Sequence, residues 1–69
     1  MSTISNQIRR LRFEHGEMTQ QQLAEQIGVT RQTANAIELG KYSPSLDAAF
    51  RIAAVFSQPL ESVFHYSAE

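Results

Sequence analysis

The sequence predicts an all-α domain of five short helices. Apolar residues recur at three- and four-residue spacing, which is typical of the buried face of a helix. Gly16, Gly28 and Gly40 each stand where one such pattern stops, and glycine tolerates the left-handed backbone that commonly ends a helix. No segment before Val63 has the pattern of a strand.

Length and composition restrict the class of protein. A chain of 69 residues accommodates a single domain, 1–69, with a thin core. It contains no cysteine, so helix packing or a second copy must provide the support that disulfides or zinc give other small domains. It has neither an apolar run of about 20 residues nor a signal-peptide core, and we therefore expect a soluble, cytoplasmic protein.

The net charge of −1 argues against a nonspecific nucleic-acid coat, which would be strongly basic. It does not argue against a sequence-specific DNA-binding protein, because the local placement of charge matters more than the total. Glu38 is the one acid between Gln26 and Leu46, a stretch that also holds Arg31 and Lys41.

The first helix is predicted from about Ser5 to His15, with Ile8 and Leu11 on its inner face and Ile4 one turn earlier. A small terminal β-ribbon, pairing residues near Ile4 with those near Tyr66, is a weaker hypothesis.

Capping signals define the next helices. Thr19 and Gln22 fit a capping box that begins a second helix over about 19–27. A turn follows at 28–30, and Thr30 is a good N-cap for a third helix over about 31–39. The inner positions of these two helices are Leu23, Ala24, Ile27, Ala34 and Ile37.

Ser45 can cap a fourth helix, which ends before Pro59. Its predicted buried stripe is Leu46, Ala49, Ile52, Ala53 and Phe56. A last short helical turn is indicated by Leu60, Val63 and Phe64.

Helices two and three, joined by a three-residue turn that opens with glycine, form a helix-turn-helix arrangement. The motifs TQQQLA, GVTRQT, IELGK and PSL occur in this order, and the stretch from Ile8 to Phe64 resembles the lambda-repressor/Cro type (XRE family) of transcriptional regulators. The resemblance implies a compact five-helix, lambda-repressor-like DNA-binding domain.

The resemblance further implies that helix three lies in the major groove. Arg31 can donate two hydrogen bonds to guanine, and Gln32 can pair similarly with adenine. The alternative is that both are only solvated residues of a first turn, and that Asn35 only faces the groove wall. The predicted base contacts are Arg31, Gln32, Thr33, Asn35 and Ala36.

Phosphate contacts are predicted on either side of the base contacts, at Gln20, Thr30, Lys41 and Tyr42. Gln20 opens helix two, where backbone N–H groups favour an anion, and in the family it also supports the recognition helix. Tyr42 could instead pack on Pro44.

Glu38 would repel phosphate if it faced DNA. In the family the acid at this position pairs inward with an arginine of helix one, and the matching residue here is Arg12. We therefore expect an Arg12–Glu38 structural ion pair. The chain departs from the family pattern at Ala34, Leu39 and Ser57, where a larger aliphatic residue, a polar residue and a glycine are usual.

A homodimer on a palindromic double-stranded operator would double the base contacts. The expected dimer interface is Leu60, Val63, Phe64 and Tyr66, with packing of these residues on the chain's own core as the alternative.

The predicted function is that of a sequence-specific transcriptional regulator, a repressor. An antitoxin that also folds against a toxin is one alternative, and a protein-interaction adaptor that does not bind DNA is another. An enzyme is not expected, since His15 and His65 have no partner at catalytic or metal-binding spacing. We expect no cofactor, no metal and no small-molecule effector.

Overall fold

The computed structural model describes residues 2–68 and confirms five helices together with a two-stranded antiparallel sheet. In chain order the elements are β1 (Ser2–Asn6), α1 (Ile8–Glu14), α2 (Gln20–Ile27), α3 (Arg31–Glu38), α4 (Leu46–Val55), α5 (Leu60–Val63) and β2 (Phe64–Ala68). Across this range no helix has both the length and the apolar character that crossing a bilayer requires.

Side-chain caps begin three of the helices where the sequence predicts. The Thr19 hydroxyl accepts a hydrogen bond from the Gln22 amide at 3.0 Å, and the Gln22 side chain accepts one from the Thr19 amide at 2.9 Å. This is the predicted capping box. Thr30 caps α3 through the Thr33 amide, and Ser45 caps α4 in the same way.

The core lies where all five helices meet. Ile52, Phe56 and Val63 are fully buried in it, and α2 and α3 also contribute buried side chains to it. The predicted inner residues of α1, α2 and α3 are buried, and they are Ile8, Leu11, Leu23, Ala24, Ile27, Ala34 and Ile37.

Two side chains differ from their predicted positions. Leu46 has the spacing of the buried stripe of α4 but is 69% exposed, because it is the first residue of the helix and its side chain is left largely uncovered there. Val63 was expected at a dimer interface, yet its side chain is 0% exposed and fills the core of its own chain. Val63 is therefore a core residue, as the alternative interpretation of this segment has it.

The N-terminal segment corrects the prediction that helix one starts near Ser5. It forms β1 instead, and Ile4 pairs with Tyr66 in an antiparallel register that runs to Asn6 opposite Phe64. The terminal ribbon is thus confirmed, and the expectation of no strand before Val63 is wrong. The physical reason is that β1 is stabilised by hydrogen bonds to a strand some 60 residues away, which local periodicity does not reveal.

Ser57 ends α4 with a left-handed backbone (φ +53°). Its amide donates to Ala54 O and the Gln58 amide donates to Ala53 O, the paired bonds of a Schellman motif. Glycine is usual at such a position because it has no Cβ to strain the backbone.

Replacing Ser57 with glycine should therefore raise the free energy of unfolding by about 0.5–1 kcal/mol, since the relief of strain exceeds the added flexibility of the unfolded chain. Thermal unfolding followed by circular dichroism should show a midpoint several degrees higher. The control is Ser57→Ala, which removes the hydroxyl but keeps the strain. An equal gain in both variants would mean that the hydroxyl, and not the backbone, is responsible.

Candidate nucleic-acid interface

The turn between α2 and α3 places the two helices as a helix-turn-helix. Gly28 ends α2 with φ +76°, and the Val29 amide then donates to Ala24 O at 3.0 Å. Val29 packs against the core, which closes the corner between the helices. The chain can then start α3 at once, with Thr30 as its cap.

The outer face of α3 is accessible. Arg31, Gln32 and Asn35 are exposed, while Thr33 and Ala36 are half-buried beside them. Ala34 and Ile37 occupy the opposite face and are each 2% exposed. The structure thus brings the five predicted base-contacting residues to one side of the helix, none of them in the interior.

Thr30 and Thr33 form a small hydroxyl pair at the start of α3. Their Oγ1 atoms are 3.0 Å apart, and Thr30 Oγ1 also accepts from the Thr33 amide at 3.1 Å. One hydroxyl donates to the other, so the pair retains a single hydroxyl hydrogen for an outside acceptor such as a phosphate oxygen.

Arg12 and Glu38 form the expected ion pair. Arg12 Nε lies 2.8 Å from Glu38 Oε1 and Arg12 Nη2 lies 2.9 Å from Oε2, a bidentate arrangement. The two side chains are 11% and 9% exposed. Arg12 Nη1 also donates to Met18 O at 2.7 Å, so one guanidinium joins α1, the loop before α2, and the end of α3. The pair neutralises the one acid near the outer face of α3.

Gln20 contacts α3 as the resemblance implies. Its Nε2 donates to Asn35 Oδ1 at 2.9 Å and lies 3.4 Å from Glu38 Oε2. Both hydrogens of this amide are thereby directed at protein acceptors. A phosphate contact at Gln20 would consequently use its backbone N–H, which stands at the first position of α2.

Asn6 is a positioning residue that the sequence analysis did not identify. Its Nδ2 donates to the carbonyls of Ile37 and Glu38, at 3.1 and 3.4 Å, and its Oδ1 accepts from the Ile8 amide at 3.1 Å. Asn6 therefore fixes the start of α1 to the last turn of α3. Asn6 stands just before the apolar pattern of α1, where an asparagine is a helix-start signal. That signal could have predicted its bond to the Ile8 amide, but not its bonds to α3.

Lys41 and Tyr42 follow α3 directly and are both exposed. The Lys41 amide donates to Ala36 O at 2.9 Å, which ties this segment to the helix. Tyr42 is 57% exposed and lines a narrow cleft with Ile4, Pro44 and other residues. Much of the Tyr42 surface is therefore accessible.

The three remaining residues of the expected dimer interface lie at the surface to different degrees. Leu60 and Phe64 are half-buried and pack against the core. Tyr66 is 68% exposed and stands opposite Ile4, itself 49% exposed, on the two-stranded sheet.

Removing the Glu38 carboxylate should strongly destabilise the fold, because it leaves the buried Arg12 guanidinium without its counter-charge. Glu38→Ala should lower the free energy of unfolding by about 3–5 kcal/mol. Denaturant unfolding measures this loss. The double variant Arg12→Met/Glu38→Ala is the control and should lose less than the sum of the two single variants. A loss below about 1 kcal/mol for Glu38→Ala would mean that this pair stabilises the fold no more than an exposed surface ion pair does.

Comparison with known proteins agrees with this geometry. The helix-turn-helix family matches residues 8–63. An uncharacterized HTH-type transcriptional regulator of Methanocaldococcus jannaschii, MJ0272, is 46% identical over 63 residues, covering 91% of this chain and 94% of the relative. YgzD, an uncharacterized HTH-type transcriptional regulator of Bacillus subtilis, is 46% identical over 61 residues, covering 88% and 91%.

A solved structure shares the fold. The crystal structure of a candidate DNA-binding protein from Bacteroides fragilis superimposes with a TM-score of 0.79 at 25% identity, covering 91% of this chain and all of that one. Family membership also confirms the expectation that the chain is not an enzyme. The chain belongs to the lambda-repressor/Cro type of the helix-turn-helix family, a family of DNA-binding transcription regulators.

Proposed function

We propose that this chain is a sequence-specific transcriptional repressor that binds a palindromic DNA operator as a homodimer, with α3 in the major groove. The observation that best supports this proposal is the contrast between the two ends of α3. Arg31 and Gln32 extend from its exposed first turn, whereas Glu38 at its other end is held by Arg12 and Gln20. A recognition helix needs such a fixed base and an accessible tip. The repressor would act in the cytoplasm, on the DNA of the nucleoid.

Phosphate contacts would frame α3. The backbone N–H of Gln20 stands at the positive end of α2, the Thr30–Thr33 pair has a hydroxyl hydrogen to donate, and Lys41 and Tyr42 lie exposed beyond α3. Glu38 would not oppose this binding, because its charge is compensated by Arg12.

A second copy would supply the missing specificity. Each bidentate side-chain contact discriminates between bases by about 1–3 kcal/mol, whereas specific sites are preferred over nonspecific DNA by about 4–10 kcal/mol. Two recognition helices related by a two-fold axis would double the number of base contacts and so reach the free-energy difference of a specific site. Tyr66 and Ile4 on the terminal sheet, with Leu60 and Phe64 behind them, are the proposed dimer surface. The outer edges of an isolated two-stranded sheet carry unpaired backbone groups, which favours pairing with another strand.

Selection of bound sequences from a random DNA pool tests this function. We expect a palindromic consensus whose half-sites are centred about 34 Å apart, one turn of the duplex. Enrichment of no sequence would refute sequence-specific binding. A single, non-palindromic site would refute the two-fold homodimer while retaining the DNA contacts.

Arg31→Ala should weaken binding to the selected operator by about 1–3 kcal/mol and relax discrimination at one base position in each half-site. Binding constants for the operator and for variants at each position measure this effect. A uniform loss of affinity for all sequences would instead assign Arg31 to the phosphate backbone.

Lys41→Ala should weaken binding to all sequences about equally, because a phosphate contact carries no sequence information. The slope of log K against log salt concentration should become shallower by about one unit per subunit. Titrations over a range of salt concentrations provide the slope, with Arg31→Ala measured in parallel. An unchanged slope would remove Lys41 from the phosphate contacts.

A further inference from the structure

The side chain of Asn35 is tied to the interior through a chain of hydrogen bonds. Gln20 Nε2 lies between Asn35 Oδ1, at 2.9 Å, and Glu38 Oε2, at 3.4 Å. The same carboxylate is bound bidentately by Arg12, whose third nitrogen is held by Met18 O. Asn35 is exposed at one end of this chain, and Arg12 is buried at the other.

The chemistry of these groups determines which way each amide faces. Arginine only donates hydrogen bonds, and an ionised carboxylate only accepts them. The atom of Gln20 nearest Glu38 must then be the nitrogen, because the amide oxygen would be repelled by the carboxylate. That nitrogen directs its second hydrogen at Asn35, so the atom of Asn35 that faces it must be the oxygen. The Nδ2 group of Asn35 is left on the other side of the amide, away from Gln20.

We propose that the buried Arg12–Glu38 pair, acting through Gln20, makes Asn35 a hydrogen-bond donor toward DNA. This inference rests on the proposed function, since it concerns what α3 presents to the major groove. An asparagine with a freely turning amide pairs with adenine, accepting from N6 and donating to N7. Gln20 takes one of the two lone pairs of the Asn35 oxygen and directs that oxygen toward α2. Both hydrogens of Nδ2 are left for a base, so we expect the donor group of Asn35 to select base edges that offer acceptors.

Guanine offers two adjacent major-groove acceptors, O6 and N7, and is the base that Asn35 selects. Cytosine presents its N4 amino group, a donor, and is disfavoured. Adenine offers N7 to the same donor group, whereas its N6 amino group would have to reach the remaining lone pair of an oxygen that is directed at Gln20, so adenine is the weaker partner. Because Arg31 lies one helical turn before Asn35 and is also a pure donor, the two side chains together specify a half-site with acceptors at two nearby positions. Gln20 is then a positioning residue for specificity as well as a support for α3.

The test is a comparison of base preferences in sequences selected from a random DNA pool. Asn35→Ala identifies the base position that Asn35 contacts, as the position where discrimination is lost. At that position the unmodified protein should prefer guanine over adenine by about tenfold, the discrimination of one good contact. Gln20→Ala frees the Asn35 amide to turn, and the guanine-to-adenine ratio should fall to about one or below.

Gln26→Ala is the matched control, because Gln26 is an exposed glutamine of the same helix whose side chain lies near Met18 and outside this chain of bonds. It should leave the ratio unchanged. Circular dichroism establishes that each variant is folded, and Gln20→Met, which has a similar volume without an amide, replaces Gln20→Ala if the latter unfolds.

The outcomes separate this inference from the proposed function. If the unmodified protein enriches no sequence, both are overturned. The inference alone is overturned if an operator is enriched but Asn35→Ala relaxes no position, if adenine is preferred there, or if removing the Gln20 amide leaves the ratio as it was. A fall in the ratio with Gln20→Ala, and not with Gln26→Ala, supports it.

Discussion

The buried ion pair between Arg12 and Glu38 is the interaction on which the arrangement of the proposed DNA-binding surface depends. Removing two charges from water is costly, and the cost is offset only where the geometry satisfies both groups. Here each oxygen of the carboxylate accepts from one guanidinium, which in turn donates to the Met18 carbonyl. The pair therefore joins α1, the loop before α2, and α3, and no buried side-chain polar atom among the described residues is left without a partner.

Three polar side chains from different segments converge on the C-terminal end of α3, the proposed recognition helix. Asn6 donates to the carbonyls of Ile37 and Glu38, while Arg12 and Gln20 bind the Glu38 carboxylate. These directional hydrogen bonds come from three different segments and add to the packing of the buried face of α3. The opposite end of α3 has exposed side chains, and the proposed base contacts lie there, on a helix whose other end is held in place.

The sequence predicted those features whose causes are local, together with those carried by the family resemblance. Thr19 and Ser45 cap α2 and α4 as predicted. The ion pair between Glu38 and Arg12 was predicted from the resemblance, and the structure contains it. The predicted start of α1 near Ser5 was wrong, because this segment forms β1, which is stabilised by pairing with a strand far away in the sequence. The prediction that Leu46 is buried was wrong, because periodicity gives the face of a helix but not how far along the helix that face is covered. The bonds from Asn6 and Gln20 to α3 join residues 15 to 32 positions apart, and such partners emerge only from the fold.

The distribution of the six cations explains why oriented hydrogen bonds should matter more here than bulk charge. Arg10, Arg12 and Arg51 are each paired with a carboxylate, which leaves Arg9, Arg31 and Lys41 outside the ion pairs of the described residues. Few phosphates can then be neutralised per subunit, so the salt-dependent, sequence-independent part of binding is small. In the proposed mode of binding, affinity comes mainly from the base contacts of α3 and from a second subunit. Such binding gains little on nonspecific DNA, and its selectivity depends on how firmly the amides and guanidinium of α3 are oriented before DNA binds.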